Sequence, residues 1–143
     1  MPRPYRPGSA LRERRGRRLS LARFIERRAQ QTPGRPALSF QGQDWSYADL
    51  WRRTEEATRA LGIGKGERIA WLGYNHPDML ALLFAAARLG VILVPLNWRL
   101  AAAEHAAILR DCAASLLYCD ATFEPHARRL GAPLGDWRGK GEP

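Results

Sequence analysis

A chain of 143 residues, 45% apolar and 26% charged, has room for one compact domain and lacks the polar bias of a disordered chain. Its formal charge of +9 is not spread over that domain: the first 28 residues hold ten arginines against Glu13 and Glu26, a net +8, which leaves +1 for the other 115. The body therefore has no charge-based claim on nucleic acid or on a membrane surface.

Residues 1–19 read as a disordered, Arg-rich extension. They resemble a transit peptide in being acid-poor, but Pro2, Pro4, Pro7, Gly8 and Gly16 break any amphipathic helix. With Tyr5 as their only aromatic residue they offer no base stacking, so weak, salt-sensitive, sequence-blind binding is the most expected of them. From residue 21 the pattern changes. Leu21, Phe24, Ile25, Arg28 and Ala29 recur at helical spacing, Ser20 stands at the cap position, and Pro33 bounds the helix. Residues 37–41 then alternate apolar and polar, and Gly42 turns the chain toward Trp45 in a hairpin.

Ser46 followed by Asp49 three residues on is a helix start, and Gly62 stops that helix near Leu61. The glycines at 62, 64 and 66, with Lys65, resemble a phosphate loop. Such loops follow a strand and open a helix, whereas this one follows a helix and leads into the strand 68–73, so it reads as a plain turn. Asn75 or His76 caps the next helix, with Pro77 at its first position and Asp78 on its dipole, running to Leu89. It is apolar on nearly every side, as a helix inside a larger protein would be. Residues 91–94 form a continuous apolar run expected of a strand covered on both faces.

Residues 101–113 read as a helix with His105, Ile108, Leu109 and Cys112 on one face, and 115–119 as a last strand. Strand, helix, strand, helix, strand with short turns predicts an α/β fold with a partial, mostly parallel sheet flanked by helices. The domain spans 20–120. Residues 121–143 are expected to be an irregular tail, rich in Gly and Pro from 131 and with Trp137 as its one aromatic residue there, leaving the last strand as an open edge. The two cysteines, seven apart, lack metal-ligand spacing and read as buried, reduced thiols, which places the chain in the cytoplasm. The longest apolar stretch, 79–87, is about half of what a membrane span needs.

Several of these segments fall into one known pattern. Trp45-Ser46-Tyr47-Ala48-Asp49-Leu50, then the run from Arg68 through Tyr74-Asn75-His76-Pro77, then Leu83 to Gly90, then Val94-Pro95-Leu96-Asn97-Trp98-Arg99-Leu100 resemble, in order and spacing, the adenylate-forming acyl-CoA synthetases. The resemblance covers residues 21 to 120 and implies the first subdomain of that family's larger amino-terminal domain, truncated. One departure is Ala101, where the family often has the Thr or Ser of a capping box with Glu104.

Such enzymes join a carboxylate to ATP, with Mg²⁺, and pass the acyl group to coenzyme A, so these are the cofactors implied for an intact form. None is implied for this chain alone. The dense Ser/Thr/Gly loop ending near Pro-Lys-Gly is absent, no tyrosine is followed by Gly, and the one Gly-Asp pair, Gly135-Asp136, follows Leu134. No residue inherits a catalytic role. Asn97 and Arg99 are the candidate cofactor-binding residues, because they lie just past a parallel strand where ligands approach open α/β sheets. The competing reading has Asn97 turning the chain and Arg99 at the surface, in a chain whose 23 basic residues include only two lysines, Lys65 and Lys140. His76, His105 and His126 have no carboxylate or Ser partner at a spacing that suggests catalysis. The expected partner is the missing remainder of a synthetase, or a second copy through the open edge. The alternatives are a small non-catalytic interaction module and a weak binder of anionic surfaces through the tail.

Overall fold

The structure, a computed structural model, describes residues 20–137; the extension over 1–19 and the last six residues of the expected tail lie outside the described residues. In chain order it contains α1 (Leu21–Gln31), β1 (Pro36–Phe40), β2 (Gln43–Ser46), α2 (Tyr47–Ala60), β3 (Arg68–Leu72), α3 (Pro77–Leu89), β4 (Ile92–Leu96), α4 (Ala102–Cys112) and β5 (Leu116–Cys119). A 3₁₀ turn (Ala121–Phe123), α5 (Glu124–Ala127) and a second 3₁₀ turn (Arg128–Leu130) follow. β1 and β2 pair antiparallel across Gln41 (φ 52) and Gly42 (φ 79), a two-residue turn with both residues left-handed, which matches the twist of the strands it joins. The main sheet is parallel, in the order β4-β3-β5.

Why the sheet takes this shape is visible along β3. Ile69 and Trp71 face one core cluster with Leu61, Leu82 and Val91, while Ala70 and Leu72 face a second with Leu96, Leu109 and Leu117. The strand buried on both faces is therefore β3. The run 91–94 is not: β4 is an edge strand with Ile92 48% exposed, and it extends through Pro95, which an edge tolerates because it needs no donor there. The helices α2 and α3 cover one face of the sheet and α4 and α5 the other, and α1 packs on α2 and α3.

The helix starts follow local chemistry. Ser46 Oγ accepts from the Asp49 N–H at 3.1 Å, and the Asp49 carboxylate accepts from the Ser46 N–H at 3.0 Å. The Ser46 hydroxyl holds the Asp49 carboxyl below its ordinary value, so this cap stabilises the fold above that value and fades as pH falls through the lowered one. His76 caps α3 through Nδ1, and Gly90 (φ 73) ends it in the left-handed region. At α4 only half a box exists: the Glu104 carboxylate accepts from the Ala101 N–H at 2.8 Å, but Ala101 has nothing to offer the helix in return. Ala101→Ser is expected to raise stability by about 1 kcal/mol, read as a higher urea midpoint with an unchanged slope. An unmoved midpoint would mean that the α4 start frays.

Four expectations change. In α1 the buried residue is Ala22, while Leu21 (53%) and Phe24 (58%) are exposed and the Ser20 side chain makes no capping bond. Cys112 and Cys119 are half-buried rather than buried. The stretch after Asp120 is not irregular throughout, because residues 121–130 form helical turns started by Asp120, whose carboxylate accepts from the Thr122 N–H at 2.9 Å. Nor is the β5 edge bare. Leu134 forms a parallel bridge to Leu117, with the Leu117 N–H bonded to Pro133 O at 2.8 Å and the Gly135 N–H to Leu117 O at 2.9 Å. Proline and glycine deprived that segment of periodicity without preventing a few backbone bonds.

Candidate functional site

The carboxyl ends of the three parallel strands lie side by side, and the chain leaves each through a turn fixed by side-chain hydrogen bonds. After β3, the Tyr74 N–H donates to Asp120 Oδ2 at 3.0 Å and Tyr74 O accepts from Trp71 Nε1 at 3.3 Å. The approach is close enough that a Cβ on Gly73 would sit 2.6 Å from Asp120 Oδ2. After β4, Asn97 Oδ1 accepts from the Arg99 N–H at 3.1 Å, and Asn97 O accepts from the Leu100 N–H at 3.1 Å and from His105 Nε2 at 2.9 Å. After β5, Asp120 joins the first turn to the 3₁₀ turn that carries Phe123.

These turns bring together an aromatic cap. The Tyr74 ring lies 5.0 Å from both Trp98 and Phe123, edge to face, and Arg99 Cζ sits 4.3 Å over the Trp98 ring. Tyr74 is 46% and Trp98 37% exposed. Of the residues expected from sequence, Asn97 and Arg99 both stand here. Asn97 turns the chain, with its amide oxygen and its carbonyl both occupied, and Arg99 is exposed above an aromatic ring. Tyr74, Trp98 and Phe123 were missed. A signal existed for two of them, since Tyr74 and Trp98 are large aromatics standing two residues past an apolar strand, where ligands meet such sheets.

The three histidines have partners that sequence spacing hid. His76 Nδ1 lies 3.4 Å from Asp78 Oδ2, and its ring packs edge-on against Phe40. His105, fully buried, meets His126 through an Nδ1···Nε2 contact of 3.0 Å. Beside His76, a cavity of about 380 Å³ is lined by Leu38, Phe40, Asn75, Pro77, Met79 and Leu80, which makes it largely apolar.

The sequence profile of the AMP-binding enzymes matches residues 25–136. The chain belongs to the AMP-binding enzyme family. Over 108 residues it is 44% identical to the indoleacetate–CoA ligase of Aromatoleum aromaticum, covering 73% of this chain and 21% of that protein. It is 36% identical to the fatty acid–[acyl-carrier-protein] ligase ScoC of Streptomyces coeruleorubidus, covering 73% and 21%. The fold overlays the O-succinylbenzoate coenzyme A synthetase of Bacillus subtilis, in complex with AMP, with a TM-score of 0.70 at 29% identity, over 78% of this chain and 30% of that one. The chain thus spans about a fifth of the length of the curated relatives it matches, and corresponds to the amino-terminal part of an AMP-dependent synthetase.

The glycine turn 62–66 does not present the phosphate cradle that a nucleotide needs. In the glycine loop 62–66 the Gly64 N–H is already bonded to the Glu67 carboxylate and the Gly66 N–H to Gly90 O, so the donors that would cradle phosphate are taken, one of them by an anion. Arg99 is a cation at the strand ends, but the backbone N–H beside it is held by Asn97. Among the described residues no three His, Cys, Asp or Glu side chains converge as metal ligands, and no helix is long and apolar enough to cross a membrane.

Proposed function

We propose that this chain is a non-catalytic portion of an acyl-CoA ligase-like enzyme whose intact form adenylates a carboxylate with ATP and Mg²⁺ and transfers it to coenzyme A. The observation that carries the reading is the match over 25–136 in a chain whose 143 residues contain no Ser/Thr/Gly phosphate loop. Holding and neutralising a triphosphate takes a dense set of backbone donors, a metal and a cation, and the turn 62–66 offers only the last, in Lys65, with its Gly64 and Gly66 N–H groups already bonded. The carboxylate stays open, because the relatives are named for indoleacetate and for fatty acids alike. The cytoplasm is the proposed location, because two cysteines in 143 residues are too few for a disulfide scaffold.

The partner in this reading is the remainder of such an enzyme, docked on the edge of β4 and the aromatic cap. Exposed Ile92, Tyr74 and Trp98 support a covered surface there. A second copy on the same edge is the alternative for an interaction module. Purified chain is expected to give no ATP–pyrophosphate exchange above a no-protein blank with indoleacetate, hydroxybenzoates or fatty acids. Exchange with any of them would overturn the reading.

A further inference from the structure

We propose that the outer face of α1 is a docking surface for an anionic lipid bilayer, with Leu21 and Phe24 entering the headgroup region between arginines that hold lipid phosphates. Of the large apolar side chains left exposed among the described residues, Phe24 (58%) and Leu21 (53%) are the two most exposed, and both belong to this one helix. They are three residues apart and so share a face, which Arg27 and Arg28, three and four residues after Phe24, continue. Phe24, Arg27, Arg28 and Gln31 line a hollow of about 270 Å³. Arg23, Arg27 and Arg28 are exposed, and none of the ion pairs among the described residues involves them. The one acid of the helix, Glu26, is half-buried and falls on the packed side, four residues after the buried Ala22. That side rests on α2 and α3, which cover the sheet, so the outer face points away from the rest of the fold.

Charge selects the occupant. The residues before Ser20 add seven arginines against Glu13, which makes the net charge over residues 1–28 +8. A second copy would bring the same positive charge against this one, so self-association through α1 is opposed. A nucleic acid would answer the arginines but leave Leu21 in water, and a neutral bilayer would take Leu21 and Phe24 but leave the arginines unmatched. An anionic bilayer answers both features at once. The apolar side chains reach the boundary between headgroups and acyl chains, while the arginine stems lie along it and raise their guanidinium groups to the phosphates. Two shallow apolar side chains hold a membrane only marginally, as a basic stretch does without them, and stable attachment takes the two signals together.

The test is co-sedimentation of the full chain with vesicles of phosphatidylcholine alone and of phosphatidylcholine with phosphatidylglycerol. The chain is expected to bind the second and not the first, and to bind it less as salt is raised. Phe24→Ser is expected to weaken that binding about tenfold, and Phe24→Leu, which keeps an apolar group, to restore most of it. The pair Arg27→Gln with Arg28→Gln is expected to weaken it about 25-fold, roughly fivefold for each charge lost near the surface. All these side chains are exposed, so the variants are expected to keep the urea midpoint of the parent chain. Equal binding to both kinds of vesicle, or to neither, would overturn the proposal. So would unaltered binding by Phe24→Ser, which would leave the attachment to the charge of the extension alone, or tighter binding to an oligonucleotide than to the anionic vesicles. A protein complex with the remainder of a synthetase that Phe24→Ser dissolves would overturn it too, by showing that protein covers this face. None of these results bears on ATP–pyrophosphate exchange, so this proposal and the functional reading fail separately.

Discussion

Arg53→Ala is expected to destabilise the fold by about 3–5 kcal/mol, a large share of the roughly 5–15 kcal/mol that holds a domain of this size. Arg53 is 2% exposed, and its Nε donates to Asp78 Oδ1 at 3.1 Å, joining α2 to the first turn of α3. Its guanidinium lies 5.6 Å from the Trp45 ring and 5.9 Å from the Trp137 ring, so the hairpin, the helical layer and the end of the described chain all meet on it. Truncation leaves the Asp78 carboxylate, itself 7% exposed, without its buried guanidinium, and removes the flat group between two indoles. The cost comes from the stranded anion more than from any large net attraction in the pair. The double variant Arg53→Met with Asp78→Leu, which strands nothing, is therefore expected to recover most of the loss. Urea unfolding of the two variants decides it. A loss below about 1 kcal/mol for Arg53→Ala would put the pair among those of a solvated surface.

Gly135→Ala is expected to cost about 1–3 kcal/mol and to release the segment 133–137 from the sheet. The cause is contact rather than backbone freedom: a Cβ on Gly135 would sit 2.1 Å from Cε1 of Tyr118, far inside van der Waals contact with a ring that is 2% exposed and cannot step aside. With the strap displaced, the bonds from Leu117 N–H to Pro133 O and from Gly135 N–H to Leu117 O are lost, and Trp137 leaves the core it packs against. Faster amide exchange at Leu117 reads this directly. The phenol gives a second reading, because burial, and after it the Asp136 charge, push the Tyr118 hydroxyl above its ordinary value. Freeing the strap should let it titrate closer to that value. Unchanged exchange and an unchanged phenol would show that the strap tolerates the methyl group.

Much of the fold was legible because it rests on short-range chemistry. The Ser46–Asp49 box, Pro77 at the start of α3, Gly42 in the hairpin and Gly90 at the end of α3 each act within a few residues, so local reading finds them. The family was legible too, as ordered motifs. Asn97 and Arg99 were correctly placed past the end of β4, although their place shows no ligand role. What local reading could not supply was which apolar run is central. The run 91–94 is as apolar as the one in β3, and only the order β4-β3-β5 makes the first an edge and the second a core strand.

The amino-acid sequence by itself thus determined the kinds of element, the caps of α2 and α3, the α/β class and the family, because period, capping residue and motif order are properties of neighbours along the chain. The tertiary structure decided which residues meet across it. Arg53 finds Asp78 at a separation of 25 residues, Tyr74 finds Asp120 at 46, and His105 finds His126 at 21. No periodicity encodes such pairings. They arise when burial of the two apolar faces of β3 draws the helices in, and each polar group carried inside must then take whatever partner the packing brings within hydrogen-bond reach.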